Sequence, residues 1–216
     1  GVNEEELEGI LDLFFERDGI LSMMIQPRAH TGRSGHPVDV DPLDVITIPD
    51  AVRLLAEHSR GRLEQGDFTP LPCSHPTCFA LTYLLRTEQK LVPLPRIVEA
   101  ASYLDIIKNQ ALLNTDTDTL LKIQDSLYQL WSSDGMVPDR EPVLKAVRKI
   151  LLDLNELNGE DHGEVLDLGA RNVKSIFIHH FMDRYTFDLT RAVKCCNHYP
   201  QVDGRLLPAC VRNCIG

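Results

Sequence analysis

Six cysteines fall into two groups, Cys73 and Cys78, then Cys195, Cys196, Cys210 and Cys214. In Cys73-Ser-His-Pro-Thr-Cys78 a proline and short polar residues keep the backbone out of regular pairing, so the loop can turn two thiolates toward one metal. Two thiolates from each group would complete a four-thiolate site, which fits a [4Fe–4S] cluster or a tetrahedral zinc ion. Zinc usually shows tighter C-x2-C knuckles, so the spacing leans toward iron–sulfur. Cys195 and Cys196 are adjacent and cannot easily both bind one iron; one is a spectator or serves another centre. The plain alternative is a set of buried apolar thiols. His75 and His198 sit beside cysteines as further ligands or as donors to ligands. Six cysteines in 216 residues are too sparse for a disulfide scaffold, which points to metal or redox work inside the cell.

These residues need elements to hold them. Residues 4–17 place Leu7, Ile10, Leu11, Phe14 and Phe15 on one helical face, and Arg17-Asp18-Gly19 stops the helix. Ile20 to Ile25 reads as a buried strand ending at Gln26-Pro27, and helix, turn and strand together are the unit of an α/β layer. Residues 28–46 read as loop, in which Gly32 and Gly35 could bring backbone close to a ligand, without phosphate-loop spacing. Thr47 reads as the N-cap of a helix reaching about Arg60, with Val52, Leu54 and Leu55 inward. A turn-rich connector then leads to the first cysteine pair, and Phe79 to Leu85 reads as strand.

The middle is expected to be helical. Its apolar stripes are Ile97, Ala101, Leu104 and Ile107 after Pro95, then Leu120, Ile123, Leu127 and Leu130. A third follows Pro142, with Val143, Val147, Ile150, Leu151 and Leu154, and Asn158-Gly159 ends it. Such stripes serve a core better than a substrate groove. Val173 to Phe181 reads as a strand with Ser175, Phe177 and His179 on one face and Ile176, Ile178 and His180 on the other. Asp188 is expected to cap a short helix carrying Cys195 and Cys196, and Asp203-Gly204 to turn the chain back toward Cys210.

Net charge of −10 argues against a nucleic-acid partner, which needs a basic face. No apolar run is long enough for a membrane span, and the acidic start is unlike a signal peptide. A cytoplasmic protein is expected, with the membrane surface a secondary location. No Gly-x-Ser-x-Gly elbow, HExxH helix or phosphate loop is present, so hydrolysis of esters or nucleotides has nothing to stand on. The first residue is Gly, and the chain is read as a segment of a longer protein.

Read in order, the cysteine segments resemble the C-terminal part of a family of radical SAM enzymes typified by archaeal tetraether lipid synthase. The matching words are Pro72 to Cys78, Val173 to Asp183, Asp188, Arg191, Cys195-Cys196-x-His-Tyr199, Asp203-Gly-Arg205 and Pro208-x-Cys210. Met24-Ile25-Gln26-Pro27 and Thr31-Gly32-Arg33 resemble a late strand and loop of that family's partial barrel. The resemblance implies an α/β fold, the end of a partial TIM-type barrel over residues 1–46. An α+β, helix-rich auxiliary iron–sulfur region follows over 47–216, with a helical insertion at about 95–157. It implies a [4Fe–4S] cluster and S-adenosylmethionine (SAM), whose one-electron cleavage gives a radical that takes hydrogen from unactivated carbon. It also implies an electron donor protein, a lipid chain or another small molecule as substrate, and Gln26 and Pro27 near the cofactor. The auxiliary-cluster role falls on Cys73, Cys78, Cys195 or Cys196, and Cys210, with Cys214 beyond the matching words. The C-x3-C-x2-C motif of the SAM-cleaving cluster is absent, so these residues alone are expected to be inactive. The competing reading is a non-catalytic, zinc-stabilised interaction module.

Overall fold

The computed structural model describes residues 3–30, 41, 44–98, 104, 125, 128, 132, 139–156 and 162–215. Helix α1, Leu7–Glu16, buries Leu11 and Phe14 and ends where Arg17 turns extended. Lys174 Nζ takes the carbonyls of Phe14 and Arg17 at 2.6 and 2.7 Å, satisfying groups the helix end leaves open. Burial of this lysine pulls its ammonium below the usual value, while the Phe14 ring centroid 5.0 Å away favours the charge. Strand β1, Ser22–Ile25, follows.

Helix α2, Ile48–His58, starts with a full capping box between Thr47 and Asp50 and has Pro49 in its first turn. Just past its C-cap Ser59, Arg60 and Gly61 stand at positive φ, which turns the chain sharply. Arg60 pairs with Glu8 and Asp12, and Arg62 with Asp12, so this turn is tied to α1.

A 3-10 turn, Gln65–Asp67, leads to β2, Thr69–Pro70, then β3, Phe79–Arg86, and β4, Leu91–Pro93. A second 3-10 turn spans Leu94–Arg96. Further on come helices α3, Arg140–Glu156, and α4, His162–Asn172, running directly into β5, Val173–His179. The chain closes with α5, Leu189–Val193, the β6–β7 hairpin, His198–Pro200 and Leu206–Pro208, and α6, Ala209–Ile215.

The main sheet is mixed. β1 pairs parallel with β5, β5 antiparallel with β3, and β2 and β4 share the far edge of β3. β3 is buried on both faces because the sheet is covered on both sides. Ala80 and Leu84 join Ile176 and Ile178 against α1 and α2, whereas Phe79, Leu81 and Tyr83 pack with Phe177 on the opposite face. Leu85 and Val92 pack under Val143, Val147, Ile150 and Leu151 of α3, as the third apolar stripe predicts. The described residues thus form an α/β fold with a parallel strand pair, and they close no barrel.

Several expectations are corrected. β1 is not a buried strand: its side chains alternate, Ser22 and Met24 on an exposed face and Met23 and Ile25 half-buried on the other, and among the described residues it pairs on one side only. Pro95 lies in a 3-10 turn, not at the start of a helix, over the described residues. β4 and α4 were not legible as elements: β4 is three residues long, and α4 follows Asn158-Gly159 on a weak stripe of Val165 and Leu168. Gly32, Gly35, Ala101, Ile107, and the stripe from Leu120 to Leu130 lie outside the described residues.

Candidate metal centre

The β2–β3 pairing sets Pro70 opposite Ala80, and the Leu71 amide donates to the Phe79 carbonyl at 3.2 Å. Cys73 and Cys78 therefore occupy the loop of a hairpin. Within it, the Ser74 amide donates to Leu71 O and the Cys78 amide to His75 O at 2.8 Å, a tight turn around Pro76. His75 spends its Nδ1 on Thr77 Oγ1 at 2.9 Å. The His180 amide donates to Cys78 O at 2.9 Å, extending the β3–β5 ladder by one step. The first cysteine pair thus sits at the end of the sheet where β5 stops.

The later cysteines come to the same end. Asp188 caps α5 by accepting from the Thr190 amide at 2.7 Å, which aims Arg191 and Ala192 inward. The helix closes at Val193, so Cys195 and Cys196 lie in the chain after it and not on it, correcting the expectation. Gly204 at φ +82° turns the β6–β7 hairpin, and the Ala209 amide donates to Asn197 O at 2.9 Å, returning α6 beside Cys195. Cys210 and Cys214 stand one turn apart on α6. Cys210 Sγ accepts from the Met182 amide and Cys214 Sγ donates to the Met182 carbonyl, both at 3.3 Å, so the two thiols grip the chain just past β5.

The thiols are electrostatic neighbours. Cys196 is exposed as a residue, yet partial desolvation of its thiol pushes it up to about 11, helped by the Cys73 thiol hydrogen-bonded to it and by Cys195. Burial also raises Cys210, with Cys195 and Cys78 adding to the shift while the Met182 amide and Arg191 oppose it. Cys214 is raised by burial and by Cys210. Thiols of three separated segments thus bear on one another in pairs, Cys73 on Cys196, and Cys78 and Cys195 on Cys210. No three described His, Cys, Asp or Glu side chains are arranged around a single ion. A four-iron cluster is a wider object and takes thiolates from farther apart. An all-thiol donor set with N–H donors aimed at Cys78 and Cys210 suits such a cluster.

The histidines divide as their strand register requires. His179 lies between two tilted rings, Phe181 with centroids 4.0 Å apart and Phe79 at 5.1 Å, and burial brings it down to about 4, with His180 and Arg191 adding. His180 is also lowered, by burial and then Arg191. His198 is exposed. Because the folded value of His179 lies below the ordinary one near 6.5, the unfolded chain binds a proton between the two and the folded chain does not. Stability of the metal-free chain is therefore expected to fall as pH drops from about 6.5 to about 4. The His179 share is about 0.5–1 kcal/mol per pH unit after allowance for partial exposure. Urea midpoints across that window check it: His179→Gln should flatten the slope, and an unchanged slope would show a solvated ring.

Gln26 and Pro27 follow β1 at the same sheet end, Gln26 exposed and Pro27 buried. They border an open groove of about 910 Å³ whose apolar wall includes Leu7, Ile10, Met23, Ile25 and Leu54. Asp183, the last residue of the matching block from Val173, ties the loops after β1 and β5 together. Its Oδ2 accepts from the His30 amide at 2.8 Å, and its Oδ1 from the Tyr185 and Thr186 amides and the Thr186 hydroxyl. Burial alone would raise this carboxyl, but those hydrogen bonds hold it below the usual range. Arg191 was also missed as a site residue; besides its place among the matching words, a helical spacing of three from the cap Asp188 was its signal, and nothing local in sequence marks an arginine as buried.

No family model matches the chain. A curated relative, 7,8-dihydro-6-hydroxymethylpterin dimethyltransferase of Methanocaldococcus jannaschii, is 27% identical over 237 aligned residues, covering 99% of this chain and 46% of the relative. The chain spans less than half the length of that relative. It is thus similar along nearly its whole length to part of an enzyme named as a pterin dimethyltransferase, and the likeness does not reach the tetraether lipid synthase-like family.

Proposed function

We propose that this chain is the cysteine-bearing part of a radical SAM enzyme and that Cys73, Cys78, Cys210 and one of Cys195 and Cys196 hold a [4Fe–4S] cluster. The observation that carries the reading is the gathering of thiols from the β2–β3 loop, the segment after α5, and α6 at the sheet end where β1 and β5 stop. Loops at the C-terminal ends of parallel strands are where α/β proteins of this kind build their sites. A bound cluster would supply single-electron transfer. The chain's own part is to shield and orient: Phe79, in the apolar cluster that Cys73 packs against, and Phe181, packed against the cluster of Cys210, flank His179, and Asp183 holds the two strand-end loops in register. Gln26 and Pro27 are assigned to the cofactor side of the site.

The substrate we favour is a small molecule of the reduced-pterin kind, functionalised at an unactivated carbon, because the relative is a pterin dimethyltransferase by name. A lipid chain has only the family resemblance behind it. An electron donor protein would serve the cluster. Among the described residues no helix is long and apolar enough to cross a membrane.

The test is iron and labile sulfide on protein purified anaerobically. About four of each per chain, with a broad visible band bleached by dithionite, is the expected result. Zinc in place of iron would favour the interaction-module reading, and a metal-free chain with all thiols reduced would overturn the metal centre altogether.

A further inference from the structure

Arg191 is 6% exposed, and among the described residues no carboxylate lies within ion-pair distance of it. Its partners are a sulfur and a carbonyl: Nε donates to Cys78 Sγ at 3.2 Å and Nη2 to the His180 carbonyl at 2.8 Å. A guanidinium taken out of water without a counter-charge is costly, so the arrangement calls for negative charge at the cysteines. The other buried cation, Lys174, is on the α1 side of the sheet and is satisfied by carbonyls there.

We infer that Arg191 is the built-in counter-charge of the thiolate centre, a positioning residue that orients Cys78 through its N–H···S bond and raises the reduction potential of the cluster bound there. The inference rests on the cluster reading above. One-electron reduction adds a negative charge to a centre already negative through its thiolates. A buried cation and an N–H donor to sulfur stabilise the reduced form more than the oxidised form. The planar fork matters as well as the charge, since one edge serves sulfur while the other is pinned to the backbone of β5's end.

The experiment compares the unmodified full chain with Arg191→Lys and Arg191→Gln, each reconstituted anaerobically. Iron and sulfide are assayed first, and the midpoint potential is then measured by dithionite titration followed optically. Arg191→Gln should keep the cluster and shift the reduced-to-oxidised ratio at fixed potential about tenfold toward oxidised, about 59 mV for one electron. Arg191→Lys keeps the charge without the fork and should fall between the two. Loss of the cluster from Arg191→Gln but not from Arg191→Lys would also support a required charge. Equal potentials in all three proteins, or loss of the cluster from both variants, would overturn the inference. Absence of iron from the unmodified chain would instead sink the cluster reading itself.

Discussion

Cys210→Ala is expected to lower cluster occupancy at least about tenfold, whereas Cys214→Ala leaves it near that of the unmodified chain. The two thiols are one turn apart on α6 and share Met182, yet their surroundings differ. Cys210 is buried, accepts an amide hydrogen, and lies near both Cys195 and Cys78. Cys214 donates its proton to a carbonyl, and among the cysteines only Cys210 bears on it. An acceptor sulfur at the meeting point of two segments suits a ligand; a donor thiol at the margin does not. Iron and sulfide assays on both variants check this, with circular dichroism confirming that each is folded. Equal iron loss from both would extend the ligand set to Cys214, and full retention in Cys210→Ala would remove Cys210 from it.

The second large effect is on stability. Asp67 is almost wholly buried, and Arg96 meets it with both edges of its fork, Nε to Oδ1 and Nη2 to Oδ2, each at 2.6 Å. Asp67 Oδ2 also accepts from the Glu64 amide at 2.6 Å. The carboxylate thereby locks the 3-10 turn before β2 to the one after β4, on the edge of the sheet that carries the cysteine hairpin. Arg96→Leu leaves that carboxylate buried with its amide bond alone, and the expected cost is about 3–5 kcal/mol, or a fall in Tm of roughly 10 °C. Arg96→Leu combined with Asp67→Leu should recover much of the loss, because no charge is then stranded. Thermal unfolding of the single and double variants measures both terms. A single variant within about 0.5 kcal/mol of the unmodified chain would mean that water reaches Asp67.

Local signals determined a good deal here. Thr47 with Asp50 announces α2, Asp203-Gly204 announces the β6–β7 turn, and Asp188 caps α5, because caps and turns are satisfied by residues within a few positions. The alternation along Val173 to His179 separates Ile176 and Ile178 from Phe177 on opposite faces, since the period of a strand is written in its side chains. The types and grouping of the cysteines likewise mark out the candidate centre. What they could not show is which thiols are neighbours. That depends on β2 folding back on β3, on β5 ending beside Cys78, and on α6 returning past Asn197, all contacts between residues far apart in the chain. The same holds for burial of charge. Lys174, Asp67, Asp183 and Arg191 look like ordinary surface residues, and only the tertiary structure supplies the carbonyls, the guanidinium, the amides and the sulfur that let each leave water. Where the chain turns and which residues could do chemistry are written locally; packing sets which of them meet, because a buried polar group is tolerated only where a distant partner has been brought to it.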